Sequence, residues 1–575
     1  MKIIINYFLV GLCLLLFVQS HAQTTARATP AVSELYQLAT ELRADYGSLS
    51  RFYHIKNSPE RRERFQSFFE NYLEKLDDFS FDQLSAGGKV DYLLIKRYLD
   101  DQLLEFAKEE DECRSVSDWV DYGETIYALE KLRRRGKKLD GQEVAGSLHK
   151  IQDDVKLRLT NLSESKAVLS KALVLRAKAI VQGHRDALGS VFDFYHGYDP
   201  DFSWWVEKPY EMLDTLLADY AREIESKVDS LSLPKDDGSG IVGSPIGREE
   251  LLRQLKHEMI SYSPEELVDI ATREFAWCDA ELLKASGDMG FGDDWKKAQE
   301  QVKLSFVPPG QQPEAMLELY DQSIEFLKKH DLLTVPLLAE ETWRMKMIPP
   351  ERQLISPFFL GGEVLQISYP TDEMDHEDKL MSMRGNNPHF SRATVHHELI
   401  AGHHLQRYMN NRHKSYRFFY TPFWTEGWAL YWEMILWDLG FPSSPEDRIG
   451  MLFWRMHRCA RIIFSLNYHL GEWTPQQCID YLVDRVGHER ANAEGEVRRS
   501  FTGNYGPLYQ IAYMVGGLQF YELKKELVDS GTVTFREFHD AVLRENNMPV
   551  EMVRAILTNQ QLEKNFASSW RFYQR

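Results

Sequence analysis

Apolar residues recur at mixed three- and four-residue steps along most of this chain, and that spacing restricts it to helices packed on helices. The pattern runs through Phe81–Glu112 and Val155–Tyr195. It returns at Pro264–Ala285, Pro313–Lys329, Pro445–Leu470 and Pro549–Phe566. Ser263-Pro264-Glu265 and Thr474-Pro475-Gln476 are helix starts: the hydroxyl caps a free N–H, and proline tolerates the first turn because its own N–H is not needed there. A mainly α protein is expected. Its 575 residues suffice for one large domain or several ordinary ones.

Two stretches depart from the helical pattern. Residues 231–248 are rich in Gly, Ser, Pro and Asp and read as a loop. They would separate an N-terminal helical lobe, residues 23–230, from a C-terminal lobe, residues 249–575. Within Pro357–Thr371, Val364, Ile367 and Tyr369 read as a short strand after Gly361-Gly362. Such a strand is either part of the core or a sheet edge beside a cleft, where an extended peptide adds its backbone hydrogen bonds.

The first 22 residues have the form of a cleaved secretory signal. Lys2 precedes an apolar run from Ile3 to Val18, and the small residues Ser20 and Ala22 mark a cut after Ala22. The run is short for a membrane span, which needs roughly 20 apolar residues. Leu12 stands before Cys13 where a lipoprotein signal wants a small residue. An exported protein, periplasmic or secreted and not membrane-held after cleavage, is expected. Four cysteines then remain, Cys113, Cys278, Cys459 and Cys478, too widely spaced for a metal motif; disulfides and buried thiols both stay open. A net charge of -19 argues against nucleic-acid binding.

Chemistry is concentrated in Thr394–Gln406, TVHHELIAGHHLQ, with four histidines and one glutamate. Catalytic zinc takes three protein ligands and a water. His397 and His403 are six residues apart, about 120° away from a shared helical face, so they meet at one ion only if the helix opens between them. Gly402 permits such an opening. His397 and His404 share a face but lie two turns, about 10.5 Å, apart. His403 is therefore the preferred second ligand and His404 the alternative. A third donor must come from another element. Glu426, set among Trp424, Trp428, Tyr431 and Trp432 on the next helix, is either that donor or a carboxylate serving its helix N-terminus. Glu398 occupies the place of the glutamate that moves a proton in zinc proteases. Gln406 suits a residue that braces a ligand from behind.

HELIAGHHLQ, EGWALY and EVRRSF…YGPLYQIAYMVGG…FHDAVL together resemble the DUF885 family, over most of the chain and most densely from Arg392 onward. That family is similar to gluzincin metallopeptidases, so the resemblance implies a large helical fold with a deep cleft and a small sheet at its edge. It implies His397, His403 and Glu426 as metal ligands and Glu398 as catalytic base. Ala401 stands where the family usually has proline.

A carbonyl under attack also needs a donor for its developing negative charge. Tyr509 and Tyr513 share a helical face, and Tyr513 matches the family's tyrosine before Gly516. Arg498 and Arg499 either bind a substrate carboxylate or pair with Glu494 and Glu496; Tyr505 is a further candidate for holding substrate, and His488 is expected at the surface or packed. Two imidazoles and a carboxylate suit one zinc ion. The reading is a zinc metallopeptidase of short peptides. The alternatives are a metal-dependent hydrolase of a non-peptide amide or ester, and a non-enzymatic exported helical binding protein.

Overall fold

Proline just inside a capping residue starts helix after helix. Asp199, Ser263, Asn387, Thr421, Ser444 and Thr474 each accept a backbone N–H from the first turn, with Pro200, Pro264, Pro388, Pro422, Pro445 and Pro475 following. Ser263 with Glu266 and Thr474 with Gln477 form reciprocal capping boxes. A computed structural model describes residues 32–229, 235–353, 361–503 and 505–574; the signal segment 1–22 lies outside them. Among the described residues no helix is long and apolar enough to cross a membrane.

The chain is mainly α. Helices α1 (Tyr36–Phe52), α2 (Pro59–Asp77) and α3 (Ala86–Ser115) are followed by α4 (Gly141–Glu164), α5 (Lys171–Tyr195) and α6 (Pro200–Ser226). After the loop come α7 (Pro264–Asp288), α8 (Pro388–Glu398), α9 (His403–Asn410), α10 (Pro422–Asp438), α11 (Pro445–His469), α12 (Arg490–Thr502) and α13 (Tyr509–Lys524), with further helices between them, Gln312–Lys329 among them. The apolar pattern from Pro549 to Phe566 yields a helix only over Val550–Leu557.

Two apolar cores result. One gathers Cys113 to Ile224, with Ile55, under α4, α5 and α6. The other joins Leu35–Leu99 to residues from Ile241 to Phe572. Loop 231–248 thus marks the C-terminal edge of the first core, and its N-terminal edge falls within α3. The part of the loop from residue 235 packs on the C-terminal body: Asp237 accepts the Gln476 N–H at 2.6 Å, and Ile241 is buried.

The larger core centres on α10, which buries Trp424, Trp428, Tyr431 and Trp432 and so faces protein on all sides. Glycine sets how closely its neighbours approach. A Cβ at Gly516 would lie 2.0 Å from the Phe423 carbonyl oxygen, and one at Gly427 would lie 2.6 Å from Gly516. α10 and α13 therefore meet backbone to backbone. A Cβ at Gly450 would lie 2.2 Å from the His389 carbonyl oxygen, so α11 presses equally close to α8.

The expected strand exists over Val364–Ile367 (β2) and pairs in parallel with Arg344–Met347 (β1). Tyr369 lies beyond it, and residues 357–360 of the expected segment lie outside the described residues. Just before β2, the Gly362 N–H donates to the Glu398 carbonyl at 3.1 Å. The small sheet is thereby tied to the end of α8.

Candidate metal centre

Four residues, 399–402, interrupt a helix that if continuous would carry His403 to the wrong side. α8 begins at Pro388 under the Asn387 cap and ends at Glu398. Leu399 leaves the helical region with φ -104 and ψ -110, and Gly402 precedes α9 with φ -85 and ψ -131. The Ile400–Ala401 peptide between them is cis. The opening is held from within and from α10: Gly402 N–H donates to the His396 carbonyl at 3.0 Å, and Trp428 Nε1 donates to the Ala401 carbonyl at 2.8 Å. A Cβ at Gly402 would lie 1.8 Å from the His397 carbonyl oxygen. Only glycine fits there.

The break makes the six-residue spacing workable. The His397 and His403 rings stand 4.9 Å apart with their planes at 85°. Glu426, on the first turns of α10, places Oε2 3.6 Å from His397 Nε2 and 3.2 Å from His403 Nε2. One donor atom from each of the three lies within 4.8 Å of the others, and all three residues are buried.

The remaining ring nitrogens are already engaged. His397 Nδ1 donates to Glu433 Oε1 at 2.6 Å. His403 Nδ1 donates to Gln406 Oε1 at 3.1 Å, and Gln406 is oriented by its amide donating to the Thr425 carbonyl at 2.8 Å. Acceptors at both Nδ1 positions fix the Nδ1–H tautomers and leave the Nε2 lone pairs facing Glu426. Tyr509 donates to Glu426 Oε1 at 2.5 Å, while buried Oε2 has no partner among the described residues beyond the two imidazole Nε2 atoms. An orphaned carboxylate oxygen between two imidazole lone pairs is costly unless a cation joins them. This donor set fits a zinc-like divalent ion.

The electrostatics agree. Burial would raise the Glu426 pKa, but the His403 and His397 charges and hydrogen bonds bring it well below the carboxylate range. Burial would lower His397, yet hydrogen bonds to Glu426 and Glu433 carry it up to about 9. The carboxylates thus call for positive charge at this point.

These groups line a cavity of about 330 Å³ together with Glu398, Tyr513, Tyr505 and Arg499. Glu398 closes α8, and its half-buried carboxyl has no hydrogen-bond partner among the described residues. Burial raises its pKa, partly opposed by His403 and His397. Gly361 leaves room for it: a Cβ there would lie 2.2 Å from Glu398 Oε2. Tyr513 stacks on His397 with centroids 6.2 Å apart. Tyr505 is 36% exposed and packs 4.3 Å from Tyr509 at the mouth.

Two of the sequence candidates fall elsewhere. His404 Nε2 bonds the Ala339 carbonyl at 2.8 Å and does not line the cavity, because the break rotates α9 to bring His403 inward instead. Arg498 donates to the Gly240 carbonyl at 2.9 Å and so holds the loop, since adjacent helical residues diverge by about 100° and only Arg499 faces the cavity. His488 is buried against His457 at 2.8 Å, a packing position. Among the described residues, Cys113, Cys278, Cys459 and Cys478 are buried free thiols.

Sequence reading missed Glu433, Arg458 and Arg461. Glu433 follows Glu426 by seven residues, two turns along the same face, a spacing that could have flagged it. Arg458 and Arg461 sit in α11 at a spacing of three, within a stretch whose apolar pattern already implied burial.

Two solved structures share this fold. One, from Shewanella oneidensis, is described as a "putative lipoprotein of unknown function"; it matches with a TM-score of 0.65 and 18% identity over 92% of this chain and 100% of its own. The other, a "putative lipoprotein" from Colwellia psychrerythraea, matches with a TM-score of 0.56 and 16% identity over 91% and 97%. No curated protein matches. The sequence profile of the family described as "Bacterial protein of unknown function (DUF885)" matches residues 54–557, and the chain belongs to that family.

Proposed function

We propose that the protein is an exported, zinc-dependent metallopeptidase of short peptides, similar in its chemistry to the gluzincins. The carrying observation is the convergence of His397, His403 and Glu426, with both Nε2 lone pairs and Glu426 Oε2 turned toward one point. Export is supported by the N-terminal signal pattern and by the lipoprotein descriptions of the two similar structures.

His397, His403 and Glu426 would hold a divalent ion, which would supply Lewis acidity to water and to a carbonyl. The protein's own groups then divide the work. Glu398, free of other partners, takes the proton of the attacking water and passes it to the leaving nitrogen. Its raised pKa suits that exchange. Tyr513 offers its hydroxyl to the carbonyl oxygen as charge gathers there. Tyr509 is occupied with Glu426 and holds that carboxylate in place. Glu433 and Gln406 fix the two rings. β2, whose Gln366 lines the cavity, offers backbone groups to an extended peptide.

The test is a peptide library incubated with purified protein, products read by mass, alongside metal analysis. About one zinc per chain is expected. Glu398→Gln keeps the zinc and loses hydrolysis by about 10²–10⁴-fold. A variant with full activity removes Glu398 from the mechanism. Absence of stoichiometric metal removes the proposal altogether.

A further inference from the structure

Resting on that reading, we infer that the deep wall of the cavity recognises a carboxylate on the substrate. Its side chains are those of Arg458 and Arg461 from α11 and Arg499 from α12. Arg458 and Arg461 lie over the Tyr513 ring at 4.6 and 4.5 Å, and Tyr513 in turn stacks on His397. One aromatic ring therefore separates two guanidiniums from the candidate metal ligands.

Internal ion pairing does not account for this wall. Glu433 lies 3.5 Å from Arg458 but gives its short hydrogen bond to His397. Glu496 is shared between Arg461 at 2.7 Å and Arg499 at 2.8 Å. Glu433 and Glu496 are thus each divided between two partners. His457 adds no further anion and stays neutral, since burial and the nearby arginines hold its pKa well below the imidazole range. Arg461 is 3% exposed, and its Nη1 has no hydrogen-bond partner among the described residues. A buried unpaired donor on a charged group is costly in a purely structural role. It is explained by an anion that arrives with the substrate.

A carboxylate matches the planar fork of guanidinium donors. The cavity, about 330 Å³, sits at the small end of ligand pockets, so the anion must lie close to the bond that reacts. Two sources have this chemistry: the free C-terminal carboxylate of a short peptide, or an acidic side chain beside the scissile bond.

The test uses the full-length mature protein with zinc and Glu398→Gln, which binds without turnover. Calorimetry measures acetyl-Ala-Ala as free acid, acetyl-Ala-Ala amide, and acetyl-Ala-Glu amide. The free acid is expected to bind at least about tenfold more tightly than the neutral amide if the C-terminus is read. The glutamyl amide gains instead if the side chain is read. Adding Arg461→Gln should erase the preference; unchanged thermal unfolding confirms that the fold survives. The comparison of three ligands on the single variant stands even if Arg461→Gln does not fold. Equal binding of acid and neutral amides, or binding of none, overturns the inference. Preferred binding of an acid that the wild-type protein never cleaves preserves the anion site and defeats the peptidase reading instead.

Discussion

Two cavities in this molecule differ in a way that size conceals. The larger, about 580 Å³, lies against the α4–α6 core and is lined by Ile180, Val120, Tyr127 and His184, with charged residues such as Glu60 and Lys131 paired to each other at 2.8 Å. Its buried histidine, His184, packs on Tyr122 and Tyr127 and is held neutral, burial lowering its pKa to about 3. The smaller is about 330 Å³ and brings two histidines, two carboxylates and several arginines to one point. The first settles a buried imidazole by stripping its charge. The second surrounds its imidazoles with carboxylates, so that charge is required there. Convergent, mutually unsatisfied groups mark a reactive site better than volume does.

Four changes would sharpen or break that contrast. The largest effect is expected from His403→Ala, which should weaken zinc binding by at least about a thousandfold and strip the ion during dialysis. Metal analysis checks this, and His184→Phe should leave the zinc content unchanged. Zinc retained without His403 would erase the distinction between the cavities.

Next is Gly402→Ala. The new Cβ meets the His397 carbonyl at 1.8 Å, so the break between α8 and α9 must distort. A loss of about 3 kcal/mol or more, with impaired zinc binding, is expected by denaturant unfolding and metal titration. A variant of native stability and zinc affinity would show that the break is not what aligns the rings.

Acid should act on the larger cavity through His184. Its pKa is about 6.5 unfolded and about 3 folded. Both states are neutral above 6.5; below it the unfolded chain binds the proton first, so stability falls as pH drops from 6.5 toward 3. At pH 4.5 the loss is about 2–3 kcal/mol. Denaturant midpoints of wild type and His184→Phe at pH 7 and 4.5 should show the variant losing less by that amount. Equal losses would mean that His184 is not buried uncharged.

The smallest effect belongs to Gly146→Ala. Gly146 lies exposed within α4, and a Cβ there meets nothing within 4 Å. Stabilisation of about 0.5–1 kcal/mol is expected, from better helix propensity. Against Gly402, this measures the difference between a glycine that is tolerated and one that is required.

Much was legible because it is local. The caps at Ser263 and Thr474 and the apolar periodicity depend on neighbours a few residues away, and so does the need for a broken helix between His397 and His403. Errors arose where distant packing intervened. Pro549–Phe566 stops being helical at Leu557. The loop at 231–248 reads as a boundary between two lobes, yet Leu35–Leu99 packs with the C-terminal body. Arg498 and Arg499 are equivalent as letters; only their placement on α12 sends one to the loop and the other to the cavity.

What the residues alone determined is the chemistry on offer: a helical chain with two imidazoles six apart, a glycine between them and a carboxylate on the following helix. Helix geometry is local, so spacing suffices to state those requirements. Tertiary structure decided that Glu433, Arg458 and Arg461 would join them. The glycine contacts of α10 with α13 and of α11 with α8 bring those helices close enough for their side chains to share one cavity. Close approach between elements distant in the chain depends on the packing of every helix at once, and no short stretch of sequence contains it.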